Sequence, residues 1–273
     1  MFQKLVFLVP VWVMLGLQDT IFSTSYTVAG TLRVRHPTHF HKSVLPYAPN
    51  GDDETIYKKN PTTSCKVPEV VKTITISTPI TVKAGQTFDC KYNKYQRDDH
   101  SCNLNVEKGH EAAIFILEEG ASLRRCLLGY SQEGLYCMGG CDIIDCHWTQ
   151  MCDEAITLKQ TSGKSLVSQS SFSNGGNKVI QSDGGGSVTV EDSCFSNVDI
   201  VYRSCGGSGC TNQKRDVVFN NIQLEGVNTL AGFNGKNGDT VNVVSYSGTA
   251  AKTMCEDKEA GTTTGVPPGC TIS

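Results

Sequence analysis

The sequence predicts an all-β chain whose main body, residues 67–273, is a single right-handed parallel β-helix. Three observations lead there. Similar stretches recur from residue 121 onward: ASLRRCLL, CDIIDCHW, SLVSQSSF, VTVEDSCF, VVFNNIQL and VNVVSYSG start at Ala121, Cys141, Ser165, Val188, Val217 and Val241, at intervals of 20, 24, 23, 29 and 24 residues. A companion series of apolar runs (GLYC, AITLK, KVIQ, IVYR, TLAGF) starts at Gly134, Ala155, Lys178, Ile200 and Thr229, at steps of 21, 23, 22 and 29. Turn residues separate these runs, and no helical period spans them. One such coil cannot bury its inner face alone, whereas stacked coils share a continuous core. A β-sandwich, the main rival, would space its strands more closely through hairpin turns. The handedness follows the general preference of parallel connections.

The segments before the solenoid read differently. Met1–Lys4 form a short basic start, Leu5–Leu17 an apolar run too short for a comfortable membrane span, and the small residues Ser23 and Ser25 follow. That order predicts a secretory signal peptide over residues 1–25, and hence an extracellular protein without a membrane segment in its mature form. Residues 26–66 read as an N-terminal extension. Its stretch RVRHPTHFHK carries His36, His39 and His41; with no further ligand close by in sequence, a solvated tail is expected over a metal site. After Cys65, VVKTITISTPITVKAG alternates apolar and polar residues as a strand does.

Thirteen cysteines suit an oxidising compartment, where they pair, and the odd count leaves at least one free thiol or an intermolecular bridge. Zinc is the competing reading for Cys137, Cys141, Cys146 and Cys152, but their spacing lacks a second compact pair. The formal net charge of −3 does not suggest nucleic-acid binding. A polyanionic ligand would therefore have to be met through a bound cation or a local basic cluster. A monomer is expected.

In the solenoid alignment Glu133, Glu154, Asn177 and Asp199 share one column, by steps of 21, 23 and 22, and Gly134, Ala155, Lys178 and Ile200 occupy the next. Stacked coils lie ~4.8 Å apart. Glu133, Asp153 and Glu154 thus gather within two coils, beside Lys178. Oxygen ligands from adjacent coils suit Ca²⁺, which tolerates irregular geometry. An acidic edge on a solvated turn is the alternative, and periodicity alone leaves both open.

The motifs GQTFDCKYNKY, EAAIFILEEGASLRRCLLG, EGLYCMGGC, MCDEAITLK, NKVIQSDGGGSVTVEDSCF, VYRSCGG, QKRDVVFNNI and LAGFNGKNGDTVNV follow one another over roughly residues 70–260. In that order the chain resembles the pectate lyases of polysaccharide lyase family 3, found in plant-attacking bacteria, fungi and plant-parasitic nematodes. The resemblance implies a secreted, Ca²⁺-dependent β-helix enzyme that cleaves polygalacturonate by β-elimination. It places the calcium ligands at Glu133, Asp153 and Glu154, the catalytic basic residues at Lys178 and Arg203, and further substrate-binding basic residues at Lys159 and Arg215. The sequence departs from the pattern where the family carries lysine, here Ile200, and where it carries histidine, here Tyr136 and Ser182.

Chemistry orders the two catalytic candidates. Arginine is effectively never deprotonated, whereas burial or a neighbouring cation can free a lysine amine. Lys178 is therefore the expected base and Arg203 the expected carboxylate binder, with Arg203 as base the other assignment. Two further readings remain: a pectin-degrading glycoside hydrolase using Asp153 and Glu154, and a catalytically silent pectin-binding protein, suggested by Ile200.

Overall fold

The structure, a computed structural model, describes residues 65–99, 102–106, 108–205, 210–259 and 265–273. The signal segment and the histidine group lie outside the described residues. Every strand pairing among the described residues is parallel, and the strands form three ladders. The first comprises Thr73–Ile76, Lys94–Arg97, Leu127–Leu128, His147–Trp148, the opening parts of Ser171–Ser182 and Cys194–Ser204, then Ile222–Glu225 and Tyr246–Gly248. The second comprises Ile80–Val82, Phe115–Leu117, Leu135–Cys137, Glu154–Leu158, the closing parts of the same two long strands, Thr229–Phe233 and Thr253–Asp257. The third runs from Thr87–Asp89 through Ala121–Arg124, Cys141–Ile144, Lys164–Ser168, Gly186–Glu191, Arg215–Asn220 and Thr240–Val243 to Cys270–Ile272. Helix is confined to the short 3₁₀ turns His110–Ala112 and Gly235–Asn237. This is a parallel β-helix, and the absence of antiparallel pairing among the described residues removes the sandwich.

The sequence repeat is the structural register in the third ladder. Ala121 pairs with Cys141, and Ser165 with Val188, Val188 with Val217 and Val217 with Val241. In the second ladder one step differs. Lys178 pairs with Glu154 rather than Ala155, so this step is 24 residues instead of 23. Asn177 accordingly stands beside Asp153, to which its amide donates.

Alternation explains the core. Leu123, Ile143, Val167, Val190, Phe219 and Val243 occupy successive inward positions of the third ladder and are fully buried. In the first ladder Leu128, Trp148, Phe172, Phe195 and Leu224 stack coil on coil. The rings of Trp148 and Phe172 lie 4.7 Å apart at 20°, those of Phe172 and Phe195 5.3 Å apart at 6°. Parallel pairing with equal side chains above and below favours such stacks. Between the third and first ladders five successive coils turn through a residue with positive φ: Arg125 (49°), Asp145 (56°), Gln169 (51°), Asp192 (48°) and Asn221 (52°). The left-handed conformation tolerates Asn and Asp best among residues with a Cβ. Where Asn221 follows Asp192 the two side chains bond across coils, at 2.6 Å.

All thirteen cysteines are described. Six disulfides join Cys65–Cys194, Cys90–Cys126, Cys102–Cys152, Cys137–Cys141, Cys205–Cys210 and Cys255–Cys270, which dissolves the zinc quartet. Cys146 is the free thiol left by the odd count, and burial pushes it up to about 12.

Two outcomes follow from this core. Truncating the middle ring of the stack, Phe172→Ala, should cost about 3–5 kcal/mol by denaturant titration, because neighbours fixed in register cannot collapse into the gap. In the native protein a thiol reagent should titrate no cysteine, and in denaturant without reductant it should titrate one per chain. More than one would contradict the pairing.

Candidate active site

The acidic cluster is built by backbone before side chains. Gly134 precedes the strand Leu135–Cys137, and its N–H donates to the Glu154 carbonyl at 2.8 Å. A Cβ on Gly134 would stand 2.2 Å from the Ala155 oxygen, so only glycine lets these coils approach so closely. The Asp153 N–H donates to the Gln132 carbonyl at 3.2 Å. These two contacts clamp the residue before Glu133 to Asp153, and the one after it to Glu154. The result is a triad of carboxylates whose ligand oxygens lie within 4.8 Å of one another. Glu133, Asp153 and Glu154 are 1%, 3% and 6% exposed.

Buried like charges need compensation. Lys178 provides part of it: its Nζ lies 2.6 Å from Glu154 and 3.9 Å from Asp153. Asn177 adds a hydrogen bond to Asp153. Three carboxylates beside one lysine make a dense site of hard oxygen donors. That donor set fits Ca²⁺, with Glu133, Asp153 and Glu154 as the residues that would hold it.

Beside this cluster runs an outward column of the second ladder: Tyr136, Thr157, Gln181, Arg203, Gly232 and Glu256, paired strand to strand. Burial first, and then the charge of Glu133, push the Tyr136 phenol well above its ordinary value, so it stays a neutral hydroxyl. Gln181 donates to Asp183 at 2.8 Å, while its buried Oε1 has no hydrogen-bond partner among the described residues. Arg203 is partly buried, and no hydrogen bond or ion pair to a described residue engages its guanidinium. Ile200 pairs directly with Lys178 and leaves that neighbouring position apolar.

The remaining basic residues divide. Lys159 stands at the edge of the same face, ion-paired with Asp183 at 2.5 Å and 5.7 Å from the Tyr136 ring centre. Arg215 does not reach the surface. Its side chain is fully buried, 3.9 Å from Asp239, and donates to the carbonyls of Thr211 (2.6 Å) and Asp183 (3.1 Å). The expectation that Arg215 touches substrate is therefore replaced by a supporting role, bracing the turn that holds Asp183 and, through it, Lys159. Asn177 was read only as a member of the acidic column, and Gln132, Gln181 and Asp183 were not singled out from the sequence. Their only signal was adjacency, Gln132 beside Glu133 and the other two flanking Ser182.

Comparisons with known proteins converge on this architecture. A family model described as pectate lyase matches residues 64–263. The probable pectate lyase D of Aspergillus fumigatus is 33% identical over 205 residues, covering 74% of this chain and 83% of its own length. Pectate lyase E of Emericella nidulans is 34% identical over 199 residues, covering 72% and 76%. Among solved structures, the catalytic domain of pectate lyase PelI from Erwinia chrysanthemi is similar in fold, with a TM-score of 0.51 at 16% identity over 75% of this chain and 95% of that one. A β-helix with this acidic cluster and this breadth of match belongs to the pectate lyase family.

Proposed function

We propose that the protein is a secreted, Ca²⁺-dependent pectate lyase that cleaves polygalacturonate by β-elimination. The observation that carries this reading is the convergence of three buried carboxylates next to Lys178, with the uncommitted Arg203 one coil further along the same face. Twelve paired cysteines support an oxidising destination, and among the described residues no helix is long and apolar enough to cross a membrane. Residues 1–25 as a leader and 26–66 as an extension complete the proposal.

Elimination removes the proton at C5 of a galacturonate, forms the C4–C5 double bond and expels the C4 oxygen. The difficulty is negative charge developing on the C5 carboxylate. When bound, Ca²⁺ supplies Lewis-acid stabilisation of that carboxylate and neutralises the three that hold it. Arg203 offers a planar fork to a carboxylate and has no partner among the described residues to give up. Lys178 is the proposed base. As an ammonium it is the counter-ion of Glu154 and Asp153; released from that pairing and deprotonated, its amine can take the C5 proton. Lys159, anchored over Tyr136 by Asp183, is placed to meet a further uronate.

A second reading, pectin binding without turnover, is favoured by one observation: Ile200 leaves an apolar residue directly beside Lys178. Incubation with polygalacturonate separates the readings. A lyase generates an unsaturated product that absorbs in the ultraviolet, a hydrolase generates reducing ends without it, and a binder generates neither.

Calcium should be required, with activity lost in chelator and restored by Ca²⁺. Glu154→Gln should weaken Ca²⁺ binding by at least about tenfold in calorimetry, the scale expected for losing one charged ligand. Unchanged affinity would reject the assigned ligands. For the base, Lys178→Ala should lower kcat by about 10²–10⁴ while oligogalacturonate still binds. Arg203→Ala should mainly weaken binding. The reverse pattern would transfer the base role to Arg203.

A further inference from the structure

Gly232 separates two cations. It lies on the outward column between Arg203 and Glu256, and a Cβ built on it would come 3.3 Å from Arg203 Cδ and 3.0 Å from Lys258 Cε. The two side chains therefore reach over the same bare stretch of backbone from opposite sides. Arg203 has no partner among the described residues, while the Lys258 Nζ is held by Glu256, the side chains of that pair being 23% and 36% exposed. An ion pair exposed to this extent contributes little and so re-partners at small cost. Two cations brought together over a floor without a side chain repel one another unless an anion stands between them.

We infer that Arg203 and Lys258 form a cradle over Gly232 for a single uronate carboxylate, and that Lys258 is a substrate-binding residue. The chemistry assigns the two arms. Arg203 presents two parallel N–H donors, and Lys258 a compact charge on a flexible stem that swings from Glu256 to the ligand. Glu256 keeps the amine over the face when no ligand is present. Gly232 leaves the volume that the carboxylate needs. The cradle rests on the pectate lyase reading for the identity of its ligand, and it extends the binding face past Arg203 toward the C-terminal coils.

The test compares Lys258→Met, which keeps the aliphatic stem, with Lys258→Arg and with the exposed Lys252→Met as control. Lys258→Met should raise KM for polygalacturonate about two- to fivefold with little change in kcat, the size expected for one partly exposed ionic contact. Lys258→Arg should restore KM and Lys252→Met should leave it alone. The deficit should shrink at high ionic strength and with rising methyl esterification, which removes the carboxylate charge. If the wild type turns over substrate and Lys258→Met has its KM, the cradle is wrong and the lyase reading stands. If the wild type binds oligogalacturonate without turnover, calorimetric Kd values of the same variants decide the cradle. If it neither cleaves nor binds, the lyase reading fails and the cradle with it.

Discussion

The site exists because coils stack in parallel register. A parallel ladder repeats each backbone direction at ~4.8 Å, so residues some twenty positions apart in sequence become lateral neighbours. Glu133 and Glu154 meet only because Gly134 donates to the Glu154 carbonyl, and Lys178 meets Glu154 only because their strands pair there. The interior maintains that register. Aromatic rings from successive coils stack in the first ladder, aliphatic side chains fill the third, and any slip by one residue would turn these side chains outward.

On that frame the charges sort into two kinds. Arg215 with Asp239 and Arg125 with Asp89 hold turns and strands together. The charges of the outer face of the second ladder are balanced differently. Its acidic triad is joined by Lys178, Lys159 is bound to a single carboxylate, and Arg203 has no carboxylate partner among the described residues. A fold alone has no use for so dense an acidic triad beside a guanidinium that no described residue engages. On the proposed function, a polyanion bridged by a divalent cation would meet both at once.

Much of this was legible in the sequence, and the exceptions have physical causes. The repeat starting at Ala121 matches the third ladder at every paired step because its inward positions are uniformly apolar. The companion repeat slipped by one residue at Lys178, because Ala155–Ile156 and Val179–Ile180 are both apolar pairs and matching Ile156 to Val179 instead of Ile180 leaves the apolar pattern unchanged. Arg215 was misplaced for another reason. It alternates with Val217 and Phe219, so the period of two already put it on the inward face. Its positive charge argued for the surface, and only the folded chain reveals Asp239 waiting inside.

The same contrast explains why Lys178, rather than Arg203, is tied to the acidic triad. Both lie on the second ladder, on adjacent strands, but Lys178 is opposite Glu154 while Arg203 is opposite Gln181 on one side and Gly232 on the other. Neither neighbour of Arg203 carries a charge, and one carries no side chain. Arg203 is thereby held at fixed height on the face with its charge unspent, whereas the charge on Lys178 is committed until something else neutralises Glu154 and Asp153. On the proposed function, a cation held by the acidic triad would take over the charge that Lys178 balances, and the Lys178 amine would be freed to act as base.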